Sequence, residues 1–360
     1  MRVALLTYST KPRGGVVHTL SLAEALARAG ADVTVWSLAR GGDEGFFRAV
    51  DPRVRLRLVP FAEVAGESVG ERILRSISVL ARAFDASGYD VVHAQDCISA
   101  NAVPGCLRTV HHLDTFTTPE LAACHERAIV EPVGHVCVSV AVARELEQGW
   151  GIRATVIPNG VDAERFAAVS EAEKGLWRGR FGRYLLAVGG IEPRKGTLDL
   201  VEAYALARRR APDLALVVAG GETLFDYRAY RLQVEARAAE LGVDLQVLGP
   251  VAHAALPGLV AGAAVFGFPS TKEGFGLAAM EALAAGVPVV TRDLPVLREV
   301  FGGAAAFGSD PESFAHQITA ALEPSAERRA AGTALAAGHS WDAAAAAHLR
   351  VYAASAAAAA

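Results

Sequence analysis

Short apolar runs alternate with amphipathic stretches along almost the whole chain. "VALLTY" (3–8) is a strand-like run. A Gly-rich loop follows, then "HTLSLAEALARAG" (18–30) with apolar positions at helical spacing, then the strand-like "DVTVWSL" (32–38). Strand, loop, helix and strand in this order predict a βαβ unit of the doubly wound type. Gly30 is placed to stop the helix. "DVVHAQD" (90–96) and "RTVHHLD" (108–114) predict buried strands that end in polar residues, and "HVCVSV" (135–140) and "ATVIPNGVD" (154–162) predict two more. In open parallel sheets ligands bind at the C-terminal ends of the strands, so those polar ends are candidate chemistry.

The pattern breaks at "SEAEKGLWRGRFGR" (170–183), which reads as a domain boundary. A second series then opens with "YLLAVGG", the helical "LDLVEAYALARRR", "LALVVAGG", the helical "YRLQVEARAAELG", "LQVLGP", a short helix, "AVFGFPS", a helix from about Gly276, and "PVVTRD". The expected class is α/β, with two tandem Rossmann-like domains over residues 1–170 and 171–338 facing a central cleft. "SWDAAAAAHLRVYAASA" predicts a closing helix within 339–360, with fraying terminal alanines. Clefts between such domains are favoured ligand sites.

Composition narrows the function classes. The 360 residues are 52% hydrophobic and 21% charged, with a net charge of −4. That suits a soluble protein with large cores and argues against a nucleic-acid binder, which carries a basic domain. Arg53, Arg55 and Arg57 alternate with Val54, Leu56 and Leu58, as on a half-exposed strand with one basic face. Cys97, Cys106, Cys124 and Cys137 form no C-x-x-C pair and read as reduced thiols. Met1 runs directly into a strand-like segment, so no signal peptide is expected and the location is expected to be cytoplasmic. Residues 245–271 lack Asp, Glu, Lys and Arg. Gly249-Pro250, Pro257, Gly258 and Pro269 interrupt them, so strand, turn and short helix are expected in place of a membrane span. Contact with a membrane surface stays open.

Three stretches carry chemistry. In "STKPRGGVVHTL", Gly14-Gly15 lies between strand and helix, where glycine lets backbone N–H groups approach an anion; a plain tight turn is the competing reading. The loop is not G-x-G-x-x-G, which disfavours an NAD site. "AVGGIEPRKGTL" repeats the geometry with Arg194 and Lys195 beside Gly189-Gly190, two cations suited to a diphosphate or simply to a solvated turn. In "EGFGLAAME", Glu273 lies just outside a helix start and Glu281 about one turn inside. Carboxylates at both sides of an anion-binding helix end fit a nucleotide sugar, with the diphosphate between a ribose and a hexose. A capping and a surface glutamate are the alternative.

"FPSTKEGFGLAAMEALAAGVPVV", with "PRGGVVHTLSLAEAL", "TVHHLD", "VIPNGVDAERF" and "GGIEPRKG", resembles glycosyltransferase family 4, the group 1 enzymes of the GT-B fold with two glutamates seven residues apart. The likeness covers essentially the whole chain, and "SWDAAAAAHLRVY" resembles the family's C-terminal helix, which crosses back onto the first domain. The resemblance implies that Glu281 binds the donor ribose and Glu273 the donor sugar hydroxyls. It assigns Lys195 and Arg194 to the diphosphate, and Gly274 with the amides of Phe275, Gly276 and Leu277 to sugar and phosphate. Gly14 and Gly15 would line the cleft, His111 would be the active-site histidine ahead of His112, and Asn159 and Gly160 would be structural. Many members carry Arg where this chain has Gly190, so Arg194 is the candidate substitute.

The implied activity is transfer of a sugar, with retention, from a nucleotide-diphosphate sugar to a small-molecule, lipid or glycan acceptor. Glycosidases need two carboxylates flanking the bond. Here both glutamates are assigned to the donor, and a front-face reaction fits better, with charge on the departing diphosphate stabilised by Lys195, Arg194 and the helix end. No D-x-D occurs, so no metal and no cofactor are expected. Competing readings are an epimerase or phosphorylase of the same fold and a non-catalytic nucleotide-sugar-binding protein. His93, Asp96, His125 and His135 read as structural, and Tyr227 and Tyr230, in a longer insertion, as packing residues, with a cover over the donor pocket as the competing reading.

Overall fold

The computed structural model describes residues 1–116, 118–221, 225, 227–323 and 325–359. Residues 222–224 and 226, within the insertion that holds Tyr227 and Tyr230, lie outside the described residues, as does Thr117 of the segment after His111. The chain divides into two compact units. One comprises Met1–Gly160 with Trp341–Ala360, the other Val161–Ser340. The division precedes the charged stretch at 170–183 by about ten residues. Phe166, on the short helix Ala163–Ala167, is fully buried and belongs to the second unit's core side.

In the first unit, β1 (Arg2–Thr7), β2 (Asp32–Arg40), β3 (Arg55–Phe61), β4 (Val91–Ala94), β5 (Leu107–Val110), β6 (Gly134–Cys137) and β7 (Thr155–Val156) form one sheet in the order β3-β2-β1-β4-β5-β6-β7. All pairs are parallel, with Val3 opposite both Val33 and Val91. Leu5, Leu6, Val33 and Val35 are fully buried, as expected of central parallel strands covered on both faces. The helix Gly14–Arg28 begins at the two glycines themselves, four residues earlier than the apolar pattern predicts. It ends where Gly30 turns left-handed at φ 88° and the Ala31 N–H returns to Leu26 O. β3 is an edge strand, so Leu56 is exposed as well as Arg55 and Arg57, which share the opposite face. The closing helix Trp341–Ala359 belongs to this unit, with His348 and Tyr352 fully buried in it.

In the second unit, β8 (Arg183–Val188), β9 (Leu214–Ala219), β10 (Leu245–Gly249), β11 (Val265–Phe268), β12 (Val289–Arg292) and β13 (Ala306–Gly308) form a second parallel sheet, ordered β10-β9-β8-β11-β12-β13. Leu185, Leu200, Val265, Val290 and Phe314 centre its core. The uncharged span from 245 resolves into β10, the short helix Leu256–Gly262 and β11. No helix of the described residues is long and apolar enough to cross a membrane.

Candidate active site

The second unit places its chemistry at the C-terminal ends of β8 and β11. After β8 the chain turns through Gly189, at φ 149°, into a single 3-10 turn, Pro193–Lys195, closed by Gly196 at φ 64°. A Cβ on Gly196 would stand 2.3 Å from Pro269 O, so no other residue fits there. The Thr271 N–H donates to Arg194 O at 2.8 Å, which ties this turn to the segment that carries Glu273.

That tie brings the predicted groups together. Lys195 Nζ donates to Glu273 Oε1 at 2.5 Å, and Arg194 donates to the same oxygen at 3.1 Å. The other Arg194 terminal nitrogen donates to Glu192 Oε1 at 2.9 Å, and Lys272 O accepts from Arg194 as well. Lys195 Nζ also lies 5.3 Å from the Phe268 ring centre. Glu192 and Glu273 are nearly buried, with 11% side-chain exposure each. The predicted sugar-binding carboxylate and the predicted diphosphate cations are thus one ion-pair cluster.

The helix Leu277–Ala284 starts one residue later than expected. Gly276 is its N-cap at φ 95°, and a Cβ there would meet Phe301 at 2.9 Å. No side chain caps this end, so its first amides keep no intrahelical partner. Phe275 is buried edge-on to His339, centres 5.7 Å apart, which anchors the backbone that leads into the helix. Glu281 sits inside the helix. Burial pushes its carboxyl up to about 7, against the pull of Arg165 and with the help of Asp162. Arg165 itself donates to the ring and the carbonyl oxygen of His253, the ring contact at 2.8 Å.

In the first unit, Gly15 packs on His111, whose ring would lie 3.7 Å from an added Cβ. Burial pushes His111 down to about 3, with His112 and Arg108 adding to it and the Gln95 backbone opposing. It is a neutral imidazole at pH 7. His18 stands edge-on to His111, centres 4.7 Å apart, and its Nδ1 contacts Asn159 Oδ1 at 2.8 Å. His93 is held between Tyr352 and Thr109 hydroxyls, both at 2.8 Å. Asp96 caps the helix Cys97–Ala102 and accepts from the Tyr8 N–H. Asn159, His93 and Asp96 therefore do structural work here, and His135 Nε2 donates to Ile129 O at 2.8 Å. Tyr230 packs on the second unit's core, where its hydroxyl meets the Leu198 N–H. The cysteines are free thiols, three of them buried.

Glu192, Arg165 and His253 escape a reading of the sequence. Glu192 lies inside "GGIEPRKG" but no spacing rule singles it out, and Arg165 and His253 are separated by 88 residues.

Residues 12–165 match the family described as Glycosyltransferase Family 4, and residues 181–335 match Glycosyl transferases group 1. D-inositol 3-phosphate glycosyltransferase of Xylanimonas cellulosilytica is 31% identical over 408 aligned positions, covering 98% of this chain and 96% of the relative. The chain belongs to the family 4, group 1 glycosyltransferases. Its fold is that of the GT-B enzymes. Sucrose-phosphate synthase from Thermosynechococcus elongatus superposes with a TM-score of 0.79 at 20% identity, covering 98% of each chain. Anabaena HepE, solved with UDP and glucose, gives 0.74 at 18%, covering 98% of this chain and 100% of that one.

Proposed function

We propose that the chain is a retaining, metal-independent glycosyltransferase that uses a nucleotide-diphosphate sugar. The observation that carries this reading is the shared Glu273 oxygen, with Lys195 at 2.5 Å and Arg194 at 3.1 Å, beside an uncapped helix end. Glu273 would take the hydroxyls of the transferred sugar, and the two cations with the amides of Gly276 and Leu277 would take the diphosphate. Arg194 would stand in for the family arginine absent at Gly190. Glu281 would hold the ribose. HepE has also been solved with UDP-glucose, a donor of the chemical type this arrangement fits.

Catalysis would be electrostatic. Charge grows on the departing diphosphate, and Lys195 and Arg194 stabilise it more as the bond to the sugar breaks. The diphosphate oxygen takes the acceptor proton on the face from which it leaves, which retains the anomeric configuration. His111, neutral at pH 7, would serve as a hydrogen-bonding group of the first unit and not as a cation.

A panel of nucleotide sugars read by thermal shift tests donor binding. A donor at 100 times its dissociation constant stabilises by about 2.7 kcal/mol. Proton NMR of the first product formed reads the anomeric outcome, and transfer in excess EDTA reads the metal. Inversion, or a complete loss in EDTA that Mg²⁺ or Mn²⁺ restores, defeats the corresponding part of the reading.

A further inference from the structure

A second cluster of cations lies in the first unit, beside the start of the helix Gly14–Arg28. Arg13 follows β1, Arg40 ends β2, and Arg72 stands on the helix Val69–Ala83. Tyr8 holds two of them: the Arg13 and Arg40 guanidinium carbons each lie 5.7 Å from its ring centre. Arg40 donates to Tyr8 O at 3.3 Å and to Ser76 Oγ at 2.8 Å, and packs over Phe61.

The nearby acids are already engaged. Asp43 accepts from Lys11 at 2.7 Å and from the Thr10 hydroxyl. Glu67 pairs with Arg75 through two bonds of 2.5 and 2.8 Å. Asp96 accepts the N–H groups of Tyr8 and Ser99. Arg13 and Arg40 form no ion pair among the described residues, and the buried Arg13 Nε has no hydrogen-bond partner. Burial pushes the Arg40 guanidinium down to about 10; Tyr8 and Asp96 oppose the fall, and Arg72 and Arg13 add to it. Arg13 and Arg40 are thus gathered at the C-terminal ends of β1 and β2, the edge where open parallel sheets bind ligands, with Arg72 on the neighbouring helix. Forked guanidiniums match the oxygens of a phosphate group in pairs.

We propose that Arg13, Arg40 and Arg72 seat a phosphate ester carried by the acceptor. The inference rests on the glycosyltransferase reading and adds the acceptor's chemical class. A soluble sugar phosphate and a phospholipid headgroup share that chemistry.

Calorimetry on the full chain with inorganic phosphate, myo-inositol 1-phosphate and unphosphorylated myo-inositol tests the soluble source. Co-sedimentation with phosphatidylcholine vesicles, with and without phosphatidylinositol, tests the lipid source. UDP is titrated in parallel. The expected result is binding of a phosphate-bearing probe and not of inositol. Arg40→Gln and Arg13→Gln should each weaken it about tenfold, the scale of one lost charge-assisted contact. Lys11→Gln, whose partner is Asp43, should bind as the wild type does, and UDP affinity should not move. Binding of the soluble ester alone assigns a soluble acceptor, and binding that depends on phosphatidylinositol assigns a lipid one. If Arg40→Gln fails to fold by circular dichroism, Arg13→Gln decides. No binding of any phosphate-bearing probe while UDP binds overturns this inference and leaves the transferase reading standing. Unchanged phosphate affinity in folded variants overturns it too, and makes the arginines a structural clamp. A chain that binds neither UDP nor any nucleotide sugar fails the transferase reading itself.

Discussion

Lys195 Nζ lies 2.5 Å from Glu273 Oε1, although the two residues are 78 positions apart. The cation expected at the diphosphate and the carboxylate expected at the sugar neutralise each other before any substrate arrives. Arg194 shares the same oxygen and leans on Glu192, so the cluster holds two positive and two negative groups. A donor must exchange these contacts for its own. The two cations are held in place before any diphosphate arrives.

Lys195→Ala should therefore lower turnover more than it weakens donor binding. The charge Lys195 meets is larger in the transition state than in the bound donor. The loss should be roughly 2–4 kcal/mol in kcat, on the scale of one removed oxyanion-hole donor. Arg194 still pairs with Glu273, so the fold should survive. Steady-state kinetics with the preferred donor check this. An unchanged kcat with only a raised KM would contradict it.

The parts of the site that were legible in the sequence are those a short motif encloses. Glu273, Gly276 and Glu281 fall in one nine-residue stretch, and a strand followed by glycine, two cations and a helix announces the Lys195 turn. Apolar periodicity also separated the two parallel sheets. It missed the start of the helix Gly14–Arg28, because Gly14 and Gly15 look like loop and only their φ and ψ make them helical. It set the unit boundary late, because Phe166 reads as the tail of a strand and turn while its burial ties it to the second unit. Partnerships such as Arg165 with His253, or Arg40 with Tyr8 and Ser76, depend on which strands become neighbours. No local pattern encodes them.

The buried histidines of the first unit should make it acid-sensitive. His348 is pushed down to about 4 by burial, against the Ala344 carbonyl, and His18 and His93 are lowered well below the ordinary value, also by burial. The unfolded chain then binds more protons than the folded one between about pH 4 and 6.5, so stability is full above that window and lost as pH falls through it. His348→Leu removes one such proton and keeps an apolar filling between His93 and Tyr352. Its unfolding free energy should depend less on pH from 6.5 to 4, by about 3 kcal/mol at most. Urea melts across that range check the difference. Parallel wild-type and variant profiles would mean that His348 carries none of the acid sensitivity.

Glu281 should act in the opposite sense. Burial raises its carboxyl to about 7, so the folded chain holds a proton that the unfolded chain releases near 4.5. Its contribution is present below about pH 4.5 and is lost as pH rises to 7. The histidines mask this trend in the wild type alone. The stability difference between wild type and Glu281→Gln isolates it, since Gln keeps the shape and cannot ionise. That difference should fall with pH from 4.5 to 7 and stay flat outside, and urea melts of the two proteins read it. A flat difference throughout would show that Arg165 holds the carboxylate ionised.

The two glutamates should fail differently, and the Lys195–Glu273 contact sharpens how. Glu281, inside the helix Leu277–Ala284, is assigned to the ribose, which donor and nucleoside diphosphate product both carry. At pH 8, above the value of about 7 to which burial raises this carboxyl, Glu281→Ala should weaken both by about 1.5–3 kcal/mol, the range for hydrogen bonds to a charged group. Glu273 is assigned to the transferred sugar, which the product lacks. It pairs with Lys195 and Arg194, so on the proposed reading it would compete with the diphosphate for them. Removing it frees both cations, so Glu273→Ala should bind nucleoside diphosphate as tightly as the wild type or more tightly, while transfer falls sharply and the choice among sugars blurs. The added affinity should shrink with salt, because it arises from charge. Calorimetry with the nucleoside diphosphate on both variants, at low and high ionic strength, separates the cases. If Glu273→Ala loses diphosphate affinity as much as Glu281→Ala does, the carboxylate holds its two cations in place for the phosphates, and the seven-residue spacing marks one phosphate site and not the two ends of a nucleotide sugar.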